Sequence, residues 1–267
     1  MTTPTDPAAP AVPPALDLTP APGAAPFGRM VLAQAGAEVR ATLRNGEQLL
    51  LTLVIPVLLL VGFSVAPLID VGGGSRVEFL TPGVLALAVM STAFTGQAIA
   101  TGFERRYGVL KRLGATPLSR AGLLLGKTLA VLAVEVLQVV VIVAVALSLG
   151  WRPQGSFAAA VLLVLLGTAA FSGLGLLMAG TLRAEATLAA ANLVYLVLLG
   201  AGGVMFPLSK FPDSVRPVLE LLPISALTGG LRAVLTGGAA LPLGALAVLA
   251  AWAAVSLGLA SRTFRWE

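Results

Sequence analysis

A chain of 267 residues that is 57% hydrophobic and 11% charged lies far outside soluble usage, where roughly a quarter of residues carry charge, and is read as a polytopic membrane protein. It has no cysteine and no histidine, which excludes disulfides, thiolate metal sites and the commonest general base, so neither a catalytic residue nor a metal site is expected. The net charge of +5 is read as membrane topology rather than as a nucleic-acid footprint, because basic residues gather at the cytoplasmic face of inserted spans.

Residues 1–25 are rich in proline and alanine, with Asp6 and Asp17 as their only charges. They offer neither the basic start nor the apolar core of a signal peptide and predict a disordered cytosolic tail. Residues 26–267 then form one transmembrane domain. In its first segment, Pro26 to Glu47, Arg29, Arg40 and Arg44 fall within a narrow arc at 100° per residue, with Phe27, Val31, Leu32, Val39 and Leu43 on the other side. This pattern predicts a helix lying in the membrane interface; a plain cytosolic extension of the first span is the alternative.

The need for ~20 apolar residues to cross the hydrocarbon places spans at about 49–69, 82–102, 117–149, 157–180, 187–205 and 241–261. Pro56 predicts a kink in the first. The second is the most polar, with Ser91, Thr92, Thr95, Gln97 and Thr101. Between the second and third lies a charged island, Phe103 to Arg120 and on to Lys127, which holds six of the seventeen Lys and Arg residues. Phe103, Tyr107, Leu110 and Leu113 recur there at helical spacing, with Arg105, Arg106 and Arg112 pointing elsewhere. The spacing predicts an apolar ridge with a basic flank, a surface suited to a partner's groove; a topology signal touching anionic lipid is the alternative. Gly114 is expected to end that helix and Thr116 to cap the next at Pro117, making a rigid elbow. Gly122 to Thr128 mimics a phosphate-binding loop but lacks the four-residue spacing between its glycines. No ATPase is therefore expected in this chain.

The third span carries Glu135 and, one turn on, Gln138. A carboxylate inside a span is a functional candidate by default, and three readings stay open: a substrate contact together with Gln97, a proton relay in an ion-coupled secondary transporter, and a structural hydrogen bond. In the fourth span Gly167, Gly173, Gly175, Ala179 and Gly180 permit close helix approach. Residues 206–238 alternate helix signals with breakers, which predicts short helices, Asp213 to Leu222 and Ala226 to Leu235, re-entering the membrane before the last span; an external cap is the alternative. With the termini on one side, that side holds twelve Lys and Arg (Arg29, Arg40, Arg44, the island, Arg183, Arg262, Arg265) against five on the other. Both termini and the island are therefore expected in the cytoplasm.

The run Phe103-Glu104-Arg105-Arg106-Tyr107-Gly108-Val109-Leu110-Lys111-Arg112-Leu113-Gly114-Ala115-Thr116-Pro117, followed by Leu125-Gly126-Lys127, resembles the signature of type-2 ABC exporter permeases, the family that includes daunorubicin-resistance permeases. Pro223, Leu227, Thr228 and Arg232 resemble its second signature, from which the chain departs at Ile224-Ser225-Ala226 and Gly229-Gly230. The resemblance implies an all-α fold of six transmembrane helices with an interfacial helix and a re-entrant segment. It implies a plasma (inner) membrane permease, working as a dimer with a second copy or a sister permease, that extrudes a drug, lipid or glycoconjugate. A separate cytoplasmic subunit would bind ATP and Mg and dock on Glu104, Arg105, Arg106, Tyr107, Gly108, Leu110, Arg112, Thr116 and Pro117.

Overall fold

A computed structural model describes residues 23–66, 75–239 and 241–264; the predicted tail up to residue 22, the loop at 67–74 and residues 265–267 lie outside them. Regular structure among the described residues is wholly helical. The helices are α1 (Phe27–Arg44), α2 (Gly46–Val65), α3 (Arg76–Arg106), α4 (Val109–Gly114), α5 (Arg120–Ser148), α6 (Phe157–Thr181), α7 (Ala184–Ala201), α8 (Arg216–Glu220), α9 (Pro223–Leu235) and α10 (Leu243–Thr263). Of these α3, α5, α6, α7 and α10 are long and apolar enough to cross a membrane, while the apolar part of α2 is shorter, Thr52–Val65. The chain is an all-α polytopic membrane protein.

Helix α3 is the central column. Every residue from Leu80 to Met90 is buried, and α2, α5, α6, α7 and α9 pack around it. This is the span whose sequence is most polar, and the reason is physical: lipid solvates apolar side chains, so hydroxyls and amides are turned towards other helices. Its helix widens into a π stretch at Met90–Gly96, from which Thr92 donates to Gln138 of α5 at 2.9 Å.

The most extensive pairing is α6 with α10. It depends on Gly173, where an added Cβ would meet the Ser256 side chain and come within 2.8 Å of the Leu257 backbone nitrogen. Ser256 also donates to the carbonyl of Ala170 across this seam at 3.1 Å. Helix α1 packs along the first turns of α5, burying Val31 and Ala35 and leaving Arg29, Arg40 and Arg44 exposed.

Three boundaries differ from expectation. Helix α5 begins at Arg120, with the Ser119 hydroxyl accepting the Gly122 N–H at 3.1 Å. Thr116 instead donates to Leu113 O at 2.6 Å and so shapes the preceding turn. Helix α9 starts at Pro223, at its N1 position, where the missing N–H costs nothing, three residues ahead of the predicted Ala226. Helix α8 is only Arg216–Glu220, with Pro217 in its first turn; it stops short because Pro223 holds the preceding Leu222 in extended geometry.

Helix α9 is built into the bundle between α3, α6 and α10, with Pro223, Leu227 and Thr228 buried. Arg232 secures it by donating to the carbonyls of Phe79 (3.2 Å), Gly203 (2.6 Å) and Val204 (2.8 Å), with its guanidinium 3.7 Å above the Phe79 ring.

The α6–α10 seam generates a test. Gly173→Ala is expected to destabilise by about 1–3 kcal/mol through overpacking, whereas Gly258→Ala on α10, with nothing within 4 Å of the added methyl, should be silent. Apparent melting midpoints in detergent, read by fluorescence-detected size exclusion, separate the two.

Candidate functional site

One ammonium group organises the end of the bundle that carries α1, α4 and the start of α5. Lys127, seven residues into α5, is 3% exposed, and its Nζ donates to Glu38 of α1 at 2.7 Å and to Glu104 of α3 at 2.6 Å. Glu38 also accepts from Gln34 at 2.8 Å. Two carboxylates face one cation, so the cluster carries a formal excess of negative charge. Burying such a group costs several kcal/mol per ion unless each is paired, and the pairing fixes α1 and α3 against α5.

Above the cluster opens a cavity of about 480 Å³, within the range of small-molecule sites. Its apolar wall is the stripe Ala130, Val131 and Val134 of α5, and its polar wall is the π stretch and following turn of α3, with Ser91, Thr92, Thr95, Gln97 and Thr101. The residues of α5 at 127, 130, 131, 134 and 138 share one helical face. Gln138 lies at its far end, donating to the Thr52 carbonyl of α2 at 3.0 Å and accepting from Thr92 at 2.9 Å. From Lys127 to Gln138 the helix rises about 16 Å. Gln97 is held by Ser172 of α6, which donates to its Oε1 at 2.6 Å, while Gln97 Nε2, Thr95 Oγ1 and Thr101 Oγ1 are buried without a partner.

The elbow beside the cluster carries out two tasks with adjacent residues. Glu104 pairs with Lys127, Arg105 donates to the carbonyls of Ala179 (2.9 Å) and Leu182 at the C-terminus of α6, and Arg106 pairs with Glu185 in the first turn of α7. A cation at a helix C-terminus is favourable. Gly108 then takes a left-handed conformation, φ 72°, which only glycine adopts freely. The chain turns there, and Leu110 is fully buried in a cluster with Leu118, Leu123, Leu124, Leu176, Ala260 and Phe264. Tyr107, 67% exposed, stays outside and stacks on Phe103 with ring centroids 6.1 Å apart.

The expected apolar ridge is therefore corrected: a continuous helix would put Tyr107 and Leu110 on one face, and the left-handed Gly108 separates them. Of the nine expected docking residues, Glu104, Arg105 and Leu110 serve the interior, whereas Arg106, Tyr107, Arg112, Thr116 and Pro117 are exposed. Of the expected polar path, Gln97 lines the cavity and Gln138 bridges two of its walls. Glu135 lies on a neighbouring face of α5 and accepts from Thr168 of α6; it is not brought to the other two. Glu38 escaped sequence reading, although Gln34 and Glu38, one turn apart beside the buried Val31 and Ala35, mark a polar edge on the packed face of α1. Sequence neighbours group Lys127 with the charged island, although a span begun at Pro117 already places it ten residues inside, and a charge at that depth is a different signal from one near a helix end.

The family model for the ABC-2 type transporter matches residues 31–236, from the first buried turn of α1 to just beyond α9. No curated protein matches the chain.

Lys127→Met leaves two buried carboxylates with no cation between them and is expected to cost about 3–5 kcal/mol. Glu38→Gln keeps the Lys127–Glu104 pair and should cost less. Both are read from loss of monodisperse protein during a temperature ramp in detergent; equal tolerance of the two changes contradicts this account of the cluster.

Proposed function

As the chain belongs to the ABC-2 type transporter family and is a transport permease subunit, we propose that it is the membrane half of an ATP-driven exporter, with the exposed elbow as the docking site for a cytoplasmic ATP-binding subunit. The observation that carries this reading is the division of the elbow into an inner and an outer face. Tyr107 and Arg112 face outward on an element whose inner side, through Leu110, is packed against the ends of α5, α6 and α10. A partner that pushes on such an element displaces three spanning helices together, because packed interiors transmit strain instead of absorbing it. A surface that displays an aromatic and an arginine above a buried apolar anchor suits a protein partner.

The positive-inside count supports placing the elbow and both termini in the cytoplasm of a cell with the chain in its plasma membrane. ATP and Mg would be held by the partner, since the Gly122–Thr128 segment lies wholly within helix α5, packed on α1, and has no phosphate-binding spacing. A second permease copy completes the complex, and the apolar outer faces of α2, α5 and α7, with Leu58, Val136 and Leu196 exposed, supply surface for lipid and for that copy. The cargo is an amphipathic molecule, for which the cavity offers both an apolar and a polar wall.

The test is co-purification with a co-expressed ATP-binding-cassette subunit from the same genome. Tyr107→Ala with Arg112→Ala should insert and remain monodisperse, because neither side chain belongs to the core, yet retain less than about a tenth of the ATPase. Undiminished retention in the double variant moves the docking site away from the elbow.

A further inference from the structure

We infer that the cavity between α1, α2, α3 and α5 is a binding site within a single copy of the chain for an organic cation with an apolar body, its charge received by Glu38. This deepens the exporter reading and rests on it for the word cargo, but binding itself is a property of this chain alone.

Three observations converge on that ligand class. The first is charge. Among the described residues lining the cavity, Glu38 and Lys127 are the only ionisable ones, and Glu104, on Lys127's other side, makes the local count two carboxylates to one ammonium. Charges in a site walled by apolar helices act over several ångströms with little screening, so an anion is repelled and a cation attracted. Glu38 is the member that a ligand reaches: its side chain is 20% exposed, against 3% for Lys127.

The second is unmet hydrogen bonding. Gln97 is 6% exposed and Thr101 fully buried, and Gln97 Nε2, Thr95 Oγ1 and Thr101 Oγ1 lack partners although all three residues line the same cavity. A buried polar atom without a partner is costly. The amide nitrogen can only donate; it lies just beneath the cavity wall, and a turn of the Gln97 side chain towards the cavity would offer it to an ether, carbonyl or hydroxyl oxygen on the ligand. The third is shape. An apolar strip faces the polar wall along the cavity, and the ion cluster stands at one end with Gln138 at the other. A cation with an elongated, largely apolar body satisfies the charge, the donors and the strip together.

The experiment uses the full chain in phosphatidylcholine nanodiscs, without any ATPase, and follows fluorescence polarisation of rhodamine 6G, a lipophilic cation, against sulforhodamine B, a related anion, with empty nanodiscs subtracted. Saturable binding of the cation and none of the anion is expected. Glu38→Gln should raise the cation's Kd at least tenfold. Ala100→Phe, which fills the cavity from an exposed lining position one turn before Glu104 while leaving all three members of the ion cluster in place, should do the same even if Glu38→Gln proves unstable. Leu259→Phe on the exposed face of α10 should change nothing. No saturable cation binding, equal binding of the anion, or a Kd unmoved in Ala100→Phe overturns the site, and a Kd unmoved in folded Glu38→Gln overturns the role of Glu38. Because no ATPase is present, these outcomes are independent of whether the elbow holds its partner.

Discussion

The arrangement of this protein depends on the burial of one lysine. An ammonium taken out of water inside a helical bundle is tolerable only with its charge met, and here Glu38 and Glu104 meet it from two directions. Each partner belongs to a different element, so satisfying Lys127 also sets the position of α1 and the angle at which α3 leaves the bundle. The consequence reaches further along α3, because the next two residues act from the same turn. With Glu104 fixed, Arg105 arrives at the C-terminal carbonyls of α6 and Arg106 at the first turn of α7. Three successive charged residues thus tie three helices to one. The exposed Arg106–Glu185 pair adds little by itself; the buried cluster and the Arg105 contacts carry the arrangement.

That geometry explains why the elbow can be both anchored and displayed. Once the charges of α3 are turned inward, the chain must reverse to present anything outward, and the left-handed Gly108 does so in one residue. Leu110 then drops into the second apolar cluster while Tyr107 remains outside. The elbow is stiff because its inner side is packed, and it is available because its outer side is not. On the proposed reading, the same contacts that stabilise the fold pass a partner's motion to α5, α6 and α10.

Much of this was legible in the sequence, and the exceptions have physical causes. Apolar length located the five helices long enough to cross a membrane, with the expected first span represented by the shorter apolar stretch Thr52–Val65, and the glycines of α6 announced a close helix seam that Gly173 and Ser256 form. The second span stood out only as the most polar; its central place, which the structure shows, accounts for that polarity, since in a membrane the polar face is the inner one. The docking run was visible as a cluster but not as a division of labour: charge and helical spacing cannot tell an inward arginine from an outward one when a single left-handed glycine rotates the face between them. The ion cluster was hidden for a different reason. Glu38, Glu104 and Lys127 are far apart in the chain, and only the packing of α1 on α5 brings them together. Helix starts were misplaced by three residues at both Thr116 and Ala226, where Ser119 and Pro223 compete as initiators.

The cavity follows from the same balance of constraints. A π stretch in a central helix widens its backbone and leaves Ser91, Thr92 and Thr95 on a wall that regular winding would have closed. Collapse of α5 onto that wall would press Val131 and Val134 against Ser91 and Thr92, polar side chains that the open space leaves partly exposed, and burying them against apolar groups is unfavourable. The helices are also held from closing at both ends, by Lys127 with its carboxylates and by Gln138 bonded to Thr52 and Thr92. A space braced at its ends and lined by unmatched donors is stabilised by whatever fills it. A ligand that supplies acceptors to the wall and a positive charge to Glu38 also competes with Lys127 for the bond that fastens α1 to α5. On the proposed reading, occupancy of the cavity and the packing of α1 on α5 are therefore coupled through one carboxylate, Glu38.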